Sequence, residues 1–165
     1  MGIGIKNRLT ALISFVFLLT TFVPLLFWQR LAEARVPVHF NFAGEPDGWG
    51  SGYTIFLLPL LSLGTCLLLY FSTRNPRLIN YPVHLSKDEK IKFFPIAVQF
   101  IRWLSVVVMM LLSYLSNGSL MVGLGHWSKL PVLPLYIFTV LILLVTVAFY
   151  WKITVLSKRM KRNSK

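Results

Sequence analysis

The chain has 165 residues, enough for one domain, yet it is 56% hydrophobic, only 13% charged, and carries a formal net charge of +12. A soluble domain is usually about one quarter charged. A chain this apolar would present too much greasy surface to water, which excludes an ordinary soluble protein and implies a membrane class. The basic excess does not point to nucleic acid: Lys and Arg fall between and after long apolar runs, as membrane topology signals do, and no soluble basic face emerges.

In chain order, the first apolar run extends from Leu9 to Trp28. The preceding MGIGIKNR gives it the look of a signal peptide, but the run is long and has no small-residue cleavage site, so a retained spanning helix is expected. Gly2 does not open a myristoylation motif, because position 6 is Lys where Ser or Thr is required. The second apolar run covers about 53–71, the third about 100–120 and the fourth about 130–150. Each is close to the ~20 residues that carry a helix across a bilayer core. Pro24 and Pro59 lie inside the first two spans and are expected to kink them. Trp28, Tyr53, Trp103, Trp127, Tyr150 and Trp151 sit near the ends, as an aromatic belt would. Cys66 is the one cysteine, so no internal disulfide forms, and it reads as a small residue between helices.

Orientation follows from the basic residues outside the spans. Lys6, Arg8, Arg74, Arg77, Lys87, Lys90, Lys92, Lys152, Lys158, Arg159, Lys161, Arg162 and Lys165 fall on one side, thirteen in all, against Arg30, Arg35 and Lys129 on the other. The positive-inside rule puts both termini and the middle loop in the cytoplasm. The expected fold is therefore an all-α integral membrane protein, a single domain over 1–165. It has four transmembrane helices, cytoplasmic N and C termini, and a short extended or turn loop between helices 1 and 2. In the middle loop, Ser86 to Glu89 reads as a capping box from which a helix runs towards the third span, with Pro95 kinking or breaking it. Arg102 is buried if that span starts at Ile96. It snorkels at the cytoplasmic interface if the span starts near Trp103, and the cost of a charge deep in lipid favours the second reading. Ser116, Asn117, Gly118 and Ser119 mark either a helix end or a polar contact with a neighbouring helix. The C-terminal SKRMKRNSK is a basic juxtamembrane tail suited to anionic headgroups.

The loop VPVHFNFAGEPDGWGS, residues 36–51, concentrates the chain's chemistry. Pro37 favours extended backbone, and Val38, Phe40 and Phe42 alternate with His39, Asn41 and Ala43 in the period of a strand. Gly44, Glu45, Pro46, Asp47 and Gly48 form a dense turn signal, with Gly50 beyond it. His39, Glu45 and Asp47 have donor atoms a divalent metal accepts, and His126 lies in the other outer loop. The spacing matches no standard ligand pattern, so His39 and Asp47 stand only as weak metal candidates. The competing reading is structural, with Asn41 and Asp47 bonding turn backbone and His39 a nearby carbonyl. Ser51 near His39 lacks the orienting residue a nucleophile needs. No H-E-x-x-H, nucleophile elbow or phosphate-cradling loop is present.

Pro37-Val38-His39-Phe40-Asn41 followed by Gly44-Glu45-Pro46-Asp47-Gly48-Trp49-Gly50-Ser51 resembles the signature of a bacterial membrane domain of unknown function. That domain also forms the N-terminal part of the SDP-toxin immunity proteins of Gram-positive bacteria. Asn80-Tyr81-Pro82-Val83 is similar to a stretch in some stand-alone members, and together the likeness covers about Leu9 to Phe94. The family often has Lys after the Ser, where this chain has Gly52. The longer immunity proteins have further spans, protect the producing cell from a secreted toxin and can signal to a repressor.

The resemblance implies a multi-pass protein of the bacterial cytoplasmic membrane, immunity-like or sensor-like, with no enzymatic activity and no cofactor. The expected binding residues are His39, Asn41, Glu45, Asp47 and Trp49, with Pro37, Gly44, Pro46, Gly48 and Gly50 shaping the turn. The expected partners are the lipid bilayer, a secreted peptide or envelope protein, and further copies of the chain. The alternative is a small transporter subunit or a metal-dependent membrane enzyme using His39, Glu45 and Asp47. The spans offer little for a transport path beyond Ser14, Thr20, Thr21, Ser62, Thr65, Gln99 and Ser105.

Overall fold

The computed structural model describes the backbone of residues 2–163 and the side chains of residues 8–162. Lys6 and Lys165 of the charge count lie outside the described side chains. The chain is mostly helical, and among the described residues four segments are long and apolar enough to cross a membrane: Arg8–Leu31, Gly52–Ser72, Lys87–Gly123 and Leu133–Arg162.

The first of these segments is not one continuous α-helix. It consists of α1 (Gly2–Thr20), a 3₁₀ stretch (Val23–Phe27) and a short α2 (Trp28–Leu31). The break follows from Pro24, which has no N–H to give to the Thr20 carbonyl one turn earlier. The Leu25 N–H turns instead to the Phe22 carbonyl, 3.0 Å away, and leaves the Thr21 carbonyl free as well. Two carbonyls in an apolar setting need donors. The Asn117 amide donates to the Thr20 carbonyl at 2.9 Å, and the Ser116 hydroxyl to the Thr21 carbonyl at 2.8 Å. The polar run at 116–119 is thus a helix–helix contact and not a helix end, since its helix continues to Gly123.

That helix, α4 (Lys87–Gly123), is the centre of the bundle and packs against α1, α3 (Leu57–Ser72) and α5 (Leu133–Asn163). It starts at a complete capping box, with the Glu89 N–H bound to the Ser86 hydroxyl and the Ser86 N–H to the Glu89 carboxylate. It runs through Pro95 without a break. Ser105, Ser113, Ser116, Gly118 and Ser119 are all buried along it, and their small size lets neighbouring backbones come close. Thr20 donates its single hydroxyl hydrogen to the Phe17 carbonyl, so Ser113 is the donor in the 2.7 Å Ser113–Thr20 hydroxyl pair. α5 stands differently. Its most apolar window has no buried residue, and it continues past Tyr150 through the basic tail to Asn163.

The loop between the first two spans is a two-stranded antiparallel hairpin, β1 (Arg35–Phe40) and β2 (Pro46–Ser51), so the fold is not purely helical. It sits on the end of α4 over a core of Leu31, Val36, Ile55 and Leu120. A second core, built on Tyr81, Phe93, Ala97 and Ile153, fastens the 73–86 loop to α4 and α5 at the far end of the bundle.

Candidate functional site

The register of the hairpin explains why its polar residues converge. Pro37 faces Trp49, His39 faces Gly48 and Phe40 faces Pro46, so Val38 and Asp47 are both left without a partner. Each is a bulge, which bends the ribbon and re-aims side chains. The bulge at Val38 also breaks the expected alternation: Val36 and Pro37 are both buried, and Val38 is exposed. The two bulges bring the His39 imidazole to the Asp47 carboxylate, with Nδ1 2.5 Å from Oδ1. Neither residue bonds where the sequence suggested, the histidine to a carbonyl and the aspartate to turn backbone. They bond to each other, with 71% of the histidine and 45% of the aspartate side chain exposed.

Asn41 organises the tip. Its Oδ1 accepts the N–H groups of Ala43 and Glu45 at 2.9 and 3.0 Å, and its Nδ2 donates to the Glu45 carboxylate at 3.0 Å. The Asn41 N–H donates to the Glu45 carbonyl and the Gly44 N–H to the Asn41 carbonyl, both at 2.9 Å. Asn41 and Glu45 are therefore spent on the turn, as an Asx-type loop requires. Trp49 lies across from Pro37, and its carbonyl accepts from Arg35 at 3.1 Å. Ser51 caps the following 3₁₀ turn by accepting the Tyr53 N–H. Gly52 packs so closely on the Leu31 carbonyl that a Cβ there would lie 1.8 Å from its oxygen, so the lysine of the resembled pattern cannot stand here without a backbone shift.

The tip is docked on the loop between α4 and α5. The Leu130 N–H donates to the Gly44 carbonyl at 2.8 Å, and Leu130 is itself fully buried against Gly118 of α4. The Tyr136 hydroxyl, on the first turn of α5, donates to the Phe42 carbonyl at 3.2 Å. Between the hairpin and α5 lies an open groove of about 430 Å³, with His39, Asn41, Phe42 and Asp47 on one wall and Val132, Tyr136 and Thr139 on the other. Phe42 projects at the tip, 93% exposed.

His39, Asn41 and Asp47 thus meet at one groove, while Glu45 and Trp49 do not line it. Among the described residues, no three of His, Cys, Asp and Glu come together as a metal site, so His126 does not complete one with His39 and Asp47. The sequence reading missed Tyr136, Val132 and Thr139. Their signal was position, at the start of the fourth apolar segment, and nothing local tied them to the hairpin loop.

Residues 15–63 match DUF1648, a domain of unknown function. The match runs from the second half of α1 through the hairpin into α3. It stops short of α4 and α5, which supply the hydrogen bonds to Thr20 and Thr21 and the far wall of the groove. The chain is also 28% identical over 153 residues to an uncharacterized protein of Archaeoglobus fulgidus, covering 85% of this chain and 82% of that protein. No solved structure matches.

Proposed function

We propose that the chain is a non-enzymatic, multi-pass protein of a bacterial cytoplasmic membrane, with the hairpin outside the cell and both termini inside. Its hairpin groove binds a secreted peptide or an envelope protein. The observation that carries this reading is the contrast within the hairpin. The backbone is held at both ends and at the tip, yet the His39–Asp47 pair and Phe42 stand exposed beside an open groove. A pre-organised loop loses little entropy on binding, and a large apolar side chain standing clear of its own fold can fill a pocket on a partner. The likeness to the N-terminal part of the immunity proteins favours an immunity-like or sensor-like role over transport.

The orientation is tested with single cysteines at Ala43, Ser128 and Asn80 in a Cys66→Ser background, labelled in intact cells with an impermeant thiol reagent. Ala43 and Ser128 label from outside, and Asn80 only after permeabilisation. The reverse pattern ends the outer-loop reading. Binding is tested by placing a photo-crosslinking amino acid at Phe42. A protein adduct of reproducible mass forms, and His39→Ala or Asp47→Ala removes it. Adducts to lipid alone, or an adduct indifferent to both substitutions, overturn the proposal.

A further inference from the structure

The 73–86 loop, at the end of the bundle away from the hairpin, is fastened along its length. Asn75 holds its start, with the side-chain oxygen accepting the Arg77 N–H at 2.9 Å. Pro82 biases Tyr81 to extended backbone. The buried Tyr81 ring packs on Phe93, Ala97 and Ile153, and its hydroxyl donates to the Lys90 carbonyl at 3.3 Å. Ser86 closes the loop as the N-cap of α4, and its carbonyl accepts the Lys90 N–H at 3.0 Å.

Between these fastenings lies an open pocket of about 250 Å³, lined by Asn80, Tyr81, Pro82, Val83, His84 and Lys90. The side chains of Asn80, His84 and Lys90 are exposed, and among the described residues none of the three has a hydrogen bond or ion pair. Asn80 differs in this from Asn41, Asn75 and Asn117, whose amides are all spent on the fold. The three bring a positive charge and several N–H donors to one rigid pocket. Asp88 and Glu89 follow closely in sequence, but neither lines the pocket, and the Glu89 carboxylate is taken by the Ser86 N–H. Arg74, Arg77, Lys87 and Lys92 join Lys90 in outnumbering those two carboxylates over 73–92. An anion with several acceptor oxygens answers all three groups at once, and charge-assisted hydrogen bonds are about twice as strong as neutral ones. The lysine disfavours a metal cation, and an apolar ligand would leave three polar groups unanswered.

We infer that this pocket binds a phosphate group, carried by a soluble phosphomonoester or by a lipid head at the membrane surface. Lys90 supplies the charge, Asn80 and His84 donate hydrogen bonds, and Pro82 and Val83 rest against the body of the ligand. Of the chain's histidines, His39, His84 and His126, only His84 lines this pocket, so its imidazole signal reports occupancy. The experiment is nuclear magnetic resonance on the full chain with isotope-labelled histidine, purified in neutral detergent. Glycerol 3-phosphate, and separately phosphatidic acid in the micelle, is titrated in at fixed pH and ionic strength. The His84 signal, assigned by its loss in His84→Gln, is expected to shift saturably while those of His39 and His126 stay in place. Saturation by glycerol 3-phosphate supports a soluble ligand, and saturation by phosphatidic acid alone supports a lipid head. Lys90→Gln should raise the half-saturating concentration about tenfold, the effect of losing one hydrogen bond to a charged group. Lys158→Gln with Arg159→Gln changes two exposed positions outside the pocket and should leave it nearly unchanged. The proposal is overturned by a His84 shift still linear at about 10 mM of both probes, beyond any millimolar site. Equal shifts at all three histidines, or a response that follows the tail and not Lys90, overturn it as well.

Discussion

Gly44 carries two constraints at once. Its φ is +80°, a region that L side chains rarely adopt, and a Cβ would fall 1.9 Å from the Leu130 carbonyl oxygen. Gly44→Ala should therefore cost more than the ordinary backbone penalty, about 1–3 kcal/mol, and undock the hairpin tip. Gly64 in α3 is the opposite case, with helical backbone and open space around it. Gly64→Ala should gain about 1 kcal/mol of helix propensity. Thermal unfolding in detergent checks both signs, and a Gly44→Ala protein as stable as the parent would show that the tip is not docked. The turn was legible only in its neighbourhood: Asn41 and Gly44 close it at 41–45, while Pro46, Asp47 and Gly48, expected at its centre, lie in β2, where Asp47 is taken up as a bulge. The pairing of His39 with Asp47 was not legible, because it depends on two bulges that shift the register, and bulges leave no reliable mark in the residues around them.

Among the elements, the break after α1 and the polar run of α4 explain each other. Pro24 frees the Thr20 carbonyl and Asn117 satisfies it. Asn117→Ala should cost about 1–3 kcal/mol, the penalty for an unsatisfied buried group. In a Pro24→Ala background, where the N–H at 24 can serve Thr20, the same change should cost clearly less. Unfolding midpoints of the four proteins give this coupling, and strict additivity would refute it. The far loop offers a second test. Burial of Tyr81 against Phe93, Ala97 and Ile153 raises its phenol above the ordinary tyrosine value. The folded form then holds its proton where the unfolded form has lost it. The stabilisation is full below the ordinary value and disappears as pH rises through the raised one. An ultraviolet pH titration should show a late-ionising phase that Tyr81→Phe reduces by one tyrosine, and the substitution should make stability less sensitive to alkaline pH. The capping box here was readable from Ser86 and Glu89, since a cap is fixed by four consecutive residues. The passage of α4 through Pro95 was not, because helix continuity there rests on neighbours packed against it.

Across the whole molecule, α4 holds the bundle together and α5 faces outward. Leu120 of α4 is fully buried in the core under the hairpin, while Leu143 on α5 is 59% exposed. Leu120→Ala should cost about 2–5 kcal/mol, whereas Leu143→Ala should stay within about 0.5 kcal/mol. Comparable losses at the two sites would mean that α5 is covered by something beyond this chain, a second copy being the first to test. The groove belongs to this scale too, since one wall comes from the hairpin and the other from a helix about ninety residues further on.

The sequence by itself determined the number of long apolar segments, the asymmetry of basic charge, the capping box at Ser86 and the presence of a turn in the loop after the first segment. Each of these depends on composition or on residues within a few positions of one another. Only the tertiary structure decided which side chains meet. The donors for the carbonyls beside Pro24 come from the third span, the acceptor for Tyr136 comes from the first loop, and Arg102 faces a cleft shared by three helices. These are long-range pairings, fixed by how the helices pack, and hydropathy averaged along the chain carries no record of them.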